Sequence, residues 1–101
     1  MADDSDNAKN EEKYGEKIRQ VTSFLDDLIR DNSVPRNVRA TLAYGKEKLT
    51  DQNEELCTRI SGAVYALDEV SNDINIPMHA RTMVWNILSE LEALKEQVIS
   101  G

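Results

Sequence analysis

A block of fifteen residues occurs twice in this chain, ungapped, at an offset of 42. Residues 25–39 read Leu-Asp-Asp-Leu-Ile-Arg-Asp-Asn-Ser-Val-Pro-Arg-Asn-Val-Arg. Residues 67–81 read Leu-Asp-Glu-Val-Ser-Asn-Asp-Ile-Asn-Ile-Pro-Met-His-Ala-Arg. Leu25/Leu67, Asp26/Asp68, Asp31/Asp73, Pro35/Pro77 and Arg39/Arg81 are identical. Asp27/Glu69, Leu28/Val70 and Val34/Ile76 match in character. The same offset pairs Ile18 with Ile60, Leu42 with Val84 and Leu49 with Leu91. Self-similarity at a fixed period constrains architecture before anything else. It predicts one helical hairpin written twice, and it names no chemistry.

Four segments carry helical periodicity. Tyr14, Ile18, Val21, Leu25 and Leu28 step by four and three, which places them on one face of a helix. Val38, Leu42, Gly45 and Leu49 follow the same rhythm. So do Leu56, Ile60, Ala63, Leu67 and Val70, and then Ala80, Val84, Ile87, Leu91, Leu94 and Val98. Each stripe has charges opposite it, so each helix must bury its stripe against the others. No period-two alternation and no Asn-Gly or Asp-Gly hairpin is present. The expected fold is all-α, a four-helix up-and-down bundle of two duplicated hairpins. The expected helices span about 10–31, 35–49, 52–72 and 77–99 in a single domain, 10–99. Residues 1–9, polar and acidic, are expected to be disordered.

The turns have their own signals. Pro35 and Pro77 stand where a helix can begin but not continue. Either Ser33 and Asn75 cap the following helices, or Val34 and Ile76 occupy the cap position with proline first in the helix. Thr50–Glu54 links the second and third helices, and Asp51 with Glu54 has capping-box spacing. Short connections make neighbouring helices antiparallel and put both proline turns at one end. Gly45 on a buried stripe costs a helix about 1 kcal/mol relative to alanine. Either a close helix approach or a kink explains it.

At 101 residues with a 40% hydrophobic and 31% charged composition, the chain has the make-up of a globular helical protein. Its net charge of −7 is uneven. Residues 1–50 hold nine Lys/Arg against ten Asp/Glu, and residues 51–101 hold three against nine. The second half would repel a phosphate backbone, which argues against nucleic acid. Arg36, Arg39, Lys46 and Lys48 give the second helix a basic cast, yet no aromatic stacking platform accompanies them. Cys57 is the single cysteine, so a reducing compartment is the simplest reading. The acidic start is unlike a secretory signal, and no run of eighteen apolar residues exists. Cytoplasmic location without membrane contact is expected.

The blocks 34–39 and 76–86 (Ile-Pro-Met-His-Ala-Arg-Thr-Met-Val-Trp-Asn), with Leu-Asp-Glu-Val-Ser-Asn-Asp at 67–73 before the second, resemble uncharacterised protein family 0147. These are short archaeal helical proteins of unassigned function. The resemblance covers roughly residues 15–95. It implies a compact four-helix fold and a cytoplasmic location, and it supplies no catalytic residues. A looser likeness runs to HEAT-type repeats, where a helix ends near an Asp and a Val-Arg pair opens the next. Asp31 followed by Val38-Arg39 is similar, while Ala80-Arg81 after Asp73 departs with Ala for Val. Two repeats are fewer than a free-standing solenoid needs, so a closed bundle is expected rather than an open stack.

Candidate chemistry is sparse. Asp31/Arg39 and Asp73/Arg81 recur at equal spacing beside Pro35 and Pro77. The preferred reading is a structural turn clamp, by ion pair or by loop-to-helix hydrogen bond, with a duplicated anion site as the other. The proline-turn end gathers Asp31, Asn32, Ser33, Arg36, Asn37 and, from the second copy, Asn72, Asp73, Asn75 and His79. A small ligand or metal is the alternative function there. One histidine among scattered carboxylates is thin for a metal, and His79 is expected on the surface. Cys57, beside Glu54 and Glu55, is expected to be an inert packing residue. No phosphate loop, Cys-x-x-Cys, His-Glu-x-x-His or nucleophile elbow is present, so neither enzyme nor cofactor is expected.

The aromatics say more. At about 100° per residue, Tyr44, Tyr65 and Trp85 all fall off their stripes. Tyr65 and Trp85 are equidistant from Asn75 and so share a level of the second hairpin. Arg81, one turn before Trp85, is placed to stack on its ring. Either a wider buried face takes both aromatics in, or they form a binding surface. The expected function is a small protein-interaction module that binds a protein partner or itself through the outer face of helices three and four, with Tyr65, Trp85 and Arg81 as the contact residues.

Overall fold

The apolar stripes of the sequence are the buried stripes of the structure. The computed structural model describes residues 4–100, with side chains from residue 12 onward. It contains α1 (Asp4–Ile29), α2 (Arg36–Leu49), α3 (Leu56–Ser71) and α4 (Met78–Ser100), and no strand among the described residues. Every stripe residue of α1, α2 and α3 is buried, as are all those of α4 except the half-buried Val98. Val21, Leu25, Leu49, Ile60, Leu67, Ile87 and Leu91 are sealed from solvent. Each such side chain contributes roughly 1.5–3 kcal/mol by leaving water.

Each helix packs on two others, in the ring order α1–α2–α3–α4 and back to α1. A stack of hairpins would instead set α1 on α3 and α2 on α4, and those diagonal pairs have at most a glancing contact. The bundle is therefore closed. The α1–α4 partners run in opposite directions: the Tyr14 hydroxyl donates to the Gln97 carbonyl, Lys17 pairs with Glu90, and Asp31 meets His79. The long axis of 41 Å follows the helices, against 21 and 19 Å across.

Helix ends differ from expectation in instructive ways. α1 begins at Asp4, so helical backbone covers part of the stretch expected to be disordered, and residues 1–3 lie outside the described residues. Acidic residues favour the positive end of a helix, and no proline occurs before residue 35. α2 begins at Arg36 with Pro35 itself as the cap residue, at φ −57 and ψ 148, and no side chain caps it. Neither capping alternative holds, because Ser33 is used elsewhere in its turn. α3 begins at Leu56 rather than 52, with Glu55 at the cap and no capping box.

The reason lies in the turns, and there are three alike. Residues 30–35, 50–55 and 72–77 have the same backbone pattern. Asp31, Asp51 and Asp73 each accept, on Oδ1, the N–H two residues on, from Ser33, Asn53 and Asn75 at 2.8–2.9 Å. This local bond competes with helix and turns the chain. Eight residues after each Asp comes an arginine, Arg39, Arg59 or Arg81, whose backbone N–H makes an early bond of the next helix. Their side chains close the corners on carbonyls. Arg39 Nε donates to Val34 O (3.1 Å), Arg59 Nε to Leu49 O (2.8 Å) and Arg81 Nη2 to Asp73 O (2.8 Å). For Arg39 and Arg81 the clamp is thus the loop-to-helix hydrogen bond. Val34 and Ile76 plug the proline turns from inside, 1% and 6% exposed.

Gly45 marks a close approach of α2 to α3. A Cβ there would stand 3.1 Å from Ala66 Cβ and 3.8 Å from Ala63 O. Gly62 faces only the side chain of Lys48, whose Cβ would be 3.1 Å away. Gly45→Leu is expected to cost about 1–3 kcal/mol in urea unfolding by forcing the helices apart. Gly62→Ala, whose Cβ would meet Lys48 Cβ and Cγ at 3.1 and 3.3 Å, is expected to change stability by less than about 1 kcal/mol, the helix gain being offset by that contact. Arg59 is 1% exposed and Arg39 half-buried. In the same assay Arg59→Ala is expected to cost about 2–4 kcal/mol and Arg39→Ala about 1 kcal/mol.

Candidate functional site

A four-helix ring covers each helix on two sides and leaves the third outside. On α3 that outward side carries Tyr65, 75% exposed, and on α4 it carries Trp85, 51% exposed. The core is complete without either ring. Asp68 and Glu69 lie one turn beyond Tyr65, and Glu92 and Glu96 continue α4 below Trp85, all four exposed. Beside the C-terminal half of α4 lies an open groove of about 600 Å³, lined by Val64 of α3 and by Glu92, Ala93, Lys95, Glu96 and Ile99. Ile99 is 63% exposed. On α4, Glu92 and Glu96 share the stripe of Trp85 and Ile99, so acidic and apolar side chains are mixed along this surface.

Arg81 does not join it as expected. Its guanidinium is turned to the Asp73 carbonyl and holds the α3–α4 corner. Among the described residues the cations over aromatic rings are Lys13 on Tyr14 and Lys48 on Tyr44, each 5.4 Å from the ring centre. Three of the four basic residues of α2 are similarly occupied: Lys46 pairs with Asp26 at 2.6 Å, Arg39 clamps its turn and Lys48 lies on Tyr44, while Arg36 is exposed. Cys57 is a free, half-buried thiol.

At the proline-turn end the structure brings together Asp31, Ser33 and His79. Asp31 Oδ1 accepts the Ser33 hydroxyl at 2.6 Å, and Asp31 Oδ2 stands 2.7 Å from His79 Nε2. The same Nε2 is 3.5 Å from Ser33 Oγ. A hydrolytic relay needs opposite imidazole nitrogens for hydroxyl and carboxylate. Here one nitrogen faces both, and the serine proton already rests on the carboxylate. The trio ties the first proline turn to the start of α4. Among the described residues no three His, Cys, Asp or Glu side chains stand close enough to hold a metal ion. Likewise, no described helix is long and apolar enough to cross a membrane.

One pairing of consequence escaped the sequence reading, in which Asp51 figures only beside Glu54. Asp51 and Arg59 form the third copy of the corner, without its proline and at a different offset. Their signal was the seven-residue gap between Asp and Arg, equal to that of the other two pairs.

The model of uncharacterised protein family UPF0147 matches residues 5–94. The chain belongs to that family. A family member of Methanocaldococcus jannaschii is 43% identical over 88 residues, 87% of this chain and 95% of the relative. One of Methanothermobacter thermautotrophicus is 47% identical over 81 residues, covering 80% and 79%. The crystal structure of a family protein from Thermoplasma acidophilum is similar at TM-score 0.75 and 41% identity, over 79% of this chain and 94% of that one. The UPF0147 fold is thus an all-α bundle in this chain and in that relative.

The Ser33 hydroxyl, then His79, then the Ser33 backbone N–H hold the Asp31 carboxyl below its usual 3.8, at about 2. In the unfolded chain those contacts are absent, so folding favours the carboxylate above about pH 4. That contribution is lost as pH falls from about 4 towards 2. Urea midpoints at pH 7, 4 and 2 are expected to show wild type above Asp31→Asn at the first two, with the gap closing at the third.

Proposed function

We propose that this UPF0147 protein is a cytoplasmic protein-interaction module that takes hold of a polypeptide through the outer face of α3 and α4. The observation that carries the reading is the exposure of Tyr65 and Trp85 on two adjacent helices with a finished core. Trp and Tyr bury large area on association at low entropic cost and dominate interface energetics. Acidic residues around them disfavour nucleic acid and anionic lipid. They also weigh against self-pairing, since a two-fold contact folds one patch onto itself and would bring Asp68, Glu69, Glu92 and Glu96 against a surface of the same sign. A partner other than a second copy fits better. The single thiol Cys57 supports the reducing compartment. At the proline-turn end, the alternative ligand site, the polar groups of Asp31, Ser33 and His79 already satisfy one another.

The test is photo-crosslinking in the native cell, with a reactive side chain placed at position 65 or, as control, at the exposed position 23 of α1. Position 65 is expected to give a discrete polypeptide adduct, reduced about tenfold by Trp85→Ser. An adduct pattern equal to that of position 23, or one indifferent to Trp85→Ser, would count against the module. An adduct of two copies of this chain would replace the foreign partner with self-association.

A further inference from the structure

We infer that the partner presents a polypeptide surface in which Lys or Arg stand among apolar side chains. The inference rests on the interaction reading and adds the chemistry of what is bound. The two hairpins of the bundle have different surfaces. Among the described residues six large apolar side chains are exposed. Five of them, Tyr65, Ile74, Met78, Trp85 and Ile99, belong to α3, α4 or the corner between them, and Tyr44 is on α2. Exposed charge divides the same way. Residues 12–49 expose five cations and the four carboxylates Glu12, Glu16, Asp27 and Glu47. Residues 56–100 expose Asp68, Glu69, Glu92 and Glu96 and no Lys or Arg. There Arg59 is buried, Arg81 holds its corner, Lys95 is half-buried and the exposed His79 is tied to Asp31. None of the four carboxylates has an ion-pair partner among the described residues.

Extent and mixture together describe the partner. At about 100° per residue Met78, Trp85, Glu92, Glu96 and Ile99 fall on one outward stripe of α4. Ile99 lies twenty-one residues after Met78, about 30 Å along the helix axis. A small molecule does not cover that length, and a macromolecular surface does. Apolar and acidic groups share the stripe, so a wholly apolar surface would strip water from carboxylates and give them nothing in return. A wholly basic one would leave the rings of Tyr65 and Trp85 in water. Cations set among apolar groups satisfy both, and exposed charge of one sign steers such a partner in. A second copy docked head to tail fits less well. Its α1–α2 face offers nearly balanced charge and one large exposed apolar side chain, Tyr44.

The test uses the full chain with the photo-crosslinker at position 65 and sequences the partner segment attached to it. That segment is expected to hold more Lys and Arg than Asp and Glu, with apolar residues among them. One variant neutralises the α3–α4 face by Asp68→Asn, Glu69→Gln, Glu92→Gln and Glu96→Gln. It is expected to lower the adduct about tenfold. A second variant, Glu12→Gln, Glu16→Gln, Asp27→Asn and Glu47→Gln, changes net charge equally on the other hairpin and is expected to leave the adduct unchanged. In cell extract, raising salt from ~50 to ~500 mM is expected to reproduce the tenfold loss. A urea midpoint taken on each variant separates lost binding from a lost fold, and should either variant fail to fold, the salt series and the segment decide. A segment with as much acid as base, no difference between the two variants, or an adduct indifferent to salt would overturn the basic partner and leave the interaction module standing. Attachment to a second copy of this chain would overturn it in favour of self-association. An adduct pattern at position 65 no different from that of position 23 would remove the module itself, and the inference with it.

Discussion

Each corner of this bundle depends on an aspartate that accepts the N–H two residues further along its own chain. The bond is short-range and needs no partner from elsewhere, so it can form wherever the preceding helix reaches it. It removes an amide from the helical ladder, stops the helix and starts a six-residue connection. Arginine eight residues later then reaches back to a carbonyl of the corner, Val34 or Asp73 in the proline turns and Leu49 at the end of α2. Equal connections hold consecutive helices side by side and antiparallel, and the apolar stripes meet.

Much of this was legible because it is local. Stripe positions follow from a period of 3.6, and the stripes read from the sequence are the buried ones. Gly45 stood out because glycine on a buried stripe needs a packing reason, and Ala66 and Ala63 supply it. The corner between α2 and α3 was harder to see. Glu55 stands there in place of proline and exposed Glu54 in place of the apolar plug, so only the Asp51–Arg59 spacing betrays it. Capping logic also misled. Ser33 has the side chain of a cap, but the stronger acceptor of Asp31 claims both its hydroxyl and its N–H.

The two ends of the functional argument rest on different physics. At the proline turns, polar groups converge and use one another up, which makes a structural tie out of what reads in sequence as a set of ligands. On α3 and α4, large rings remain in water while smaller residues fill the core. Retaining a half-exposed tryptophan in a domain of this size costs solvation that a partner would recover. The acidic skew of the second half, visible as a count, becomes in three dimensions part of that surface.

Helix content, buried faces and two of the three corners were set by neighbours within a turn or two, since those contacts are made by residues close in the chain. Accessibility was not. Whether Trp85 and Tyr65 lay inside depended on where α1 and α2 stood, and the closed ring put both rings outside. The burial of Arg59 and the meeting of Asp31 with His79 likewise required helices far apart in sequence to be placed first, because exposure and distance are properties of the whole packing arrangement.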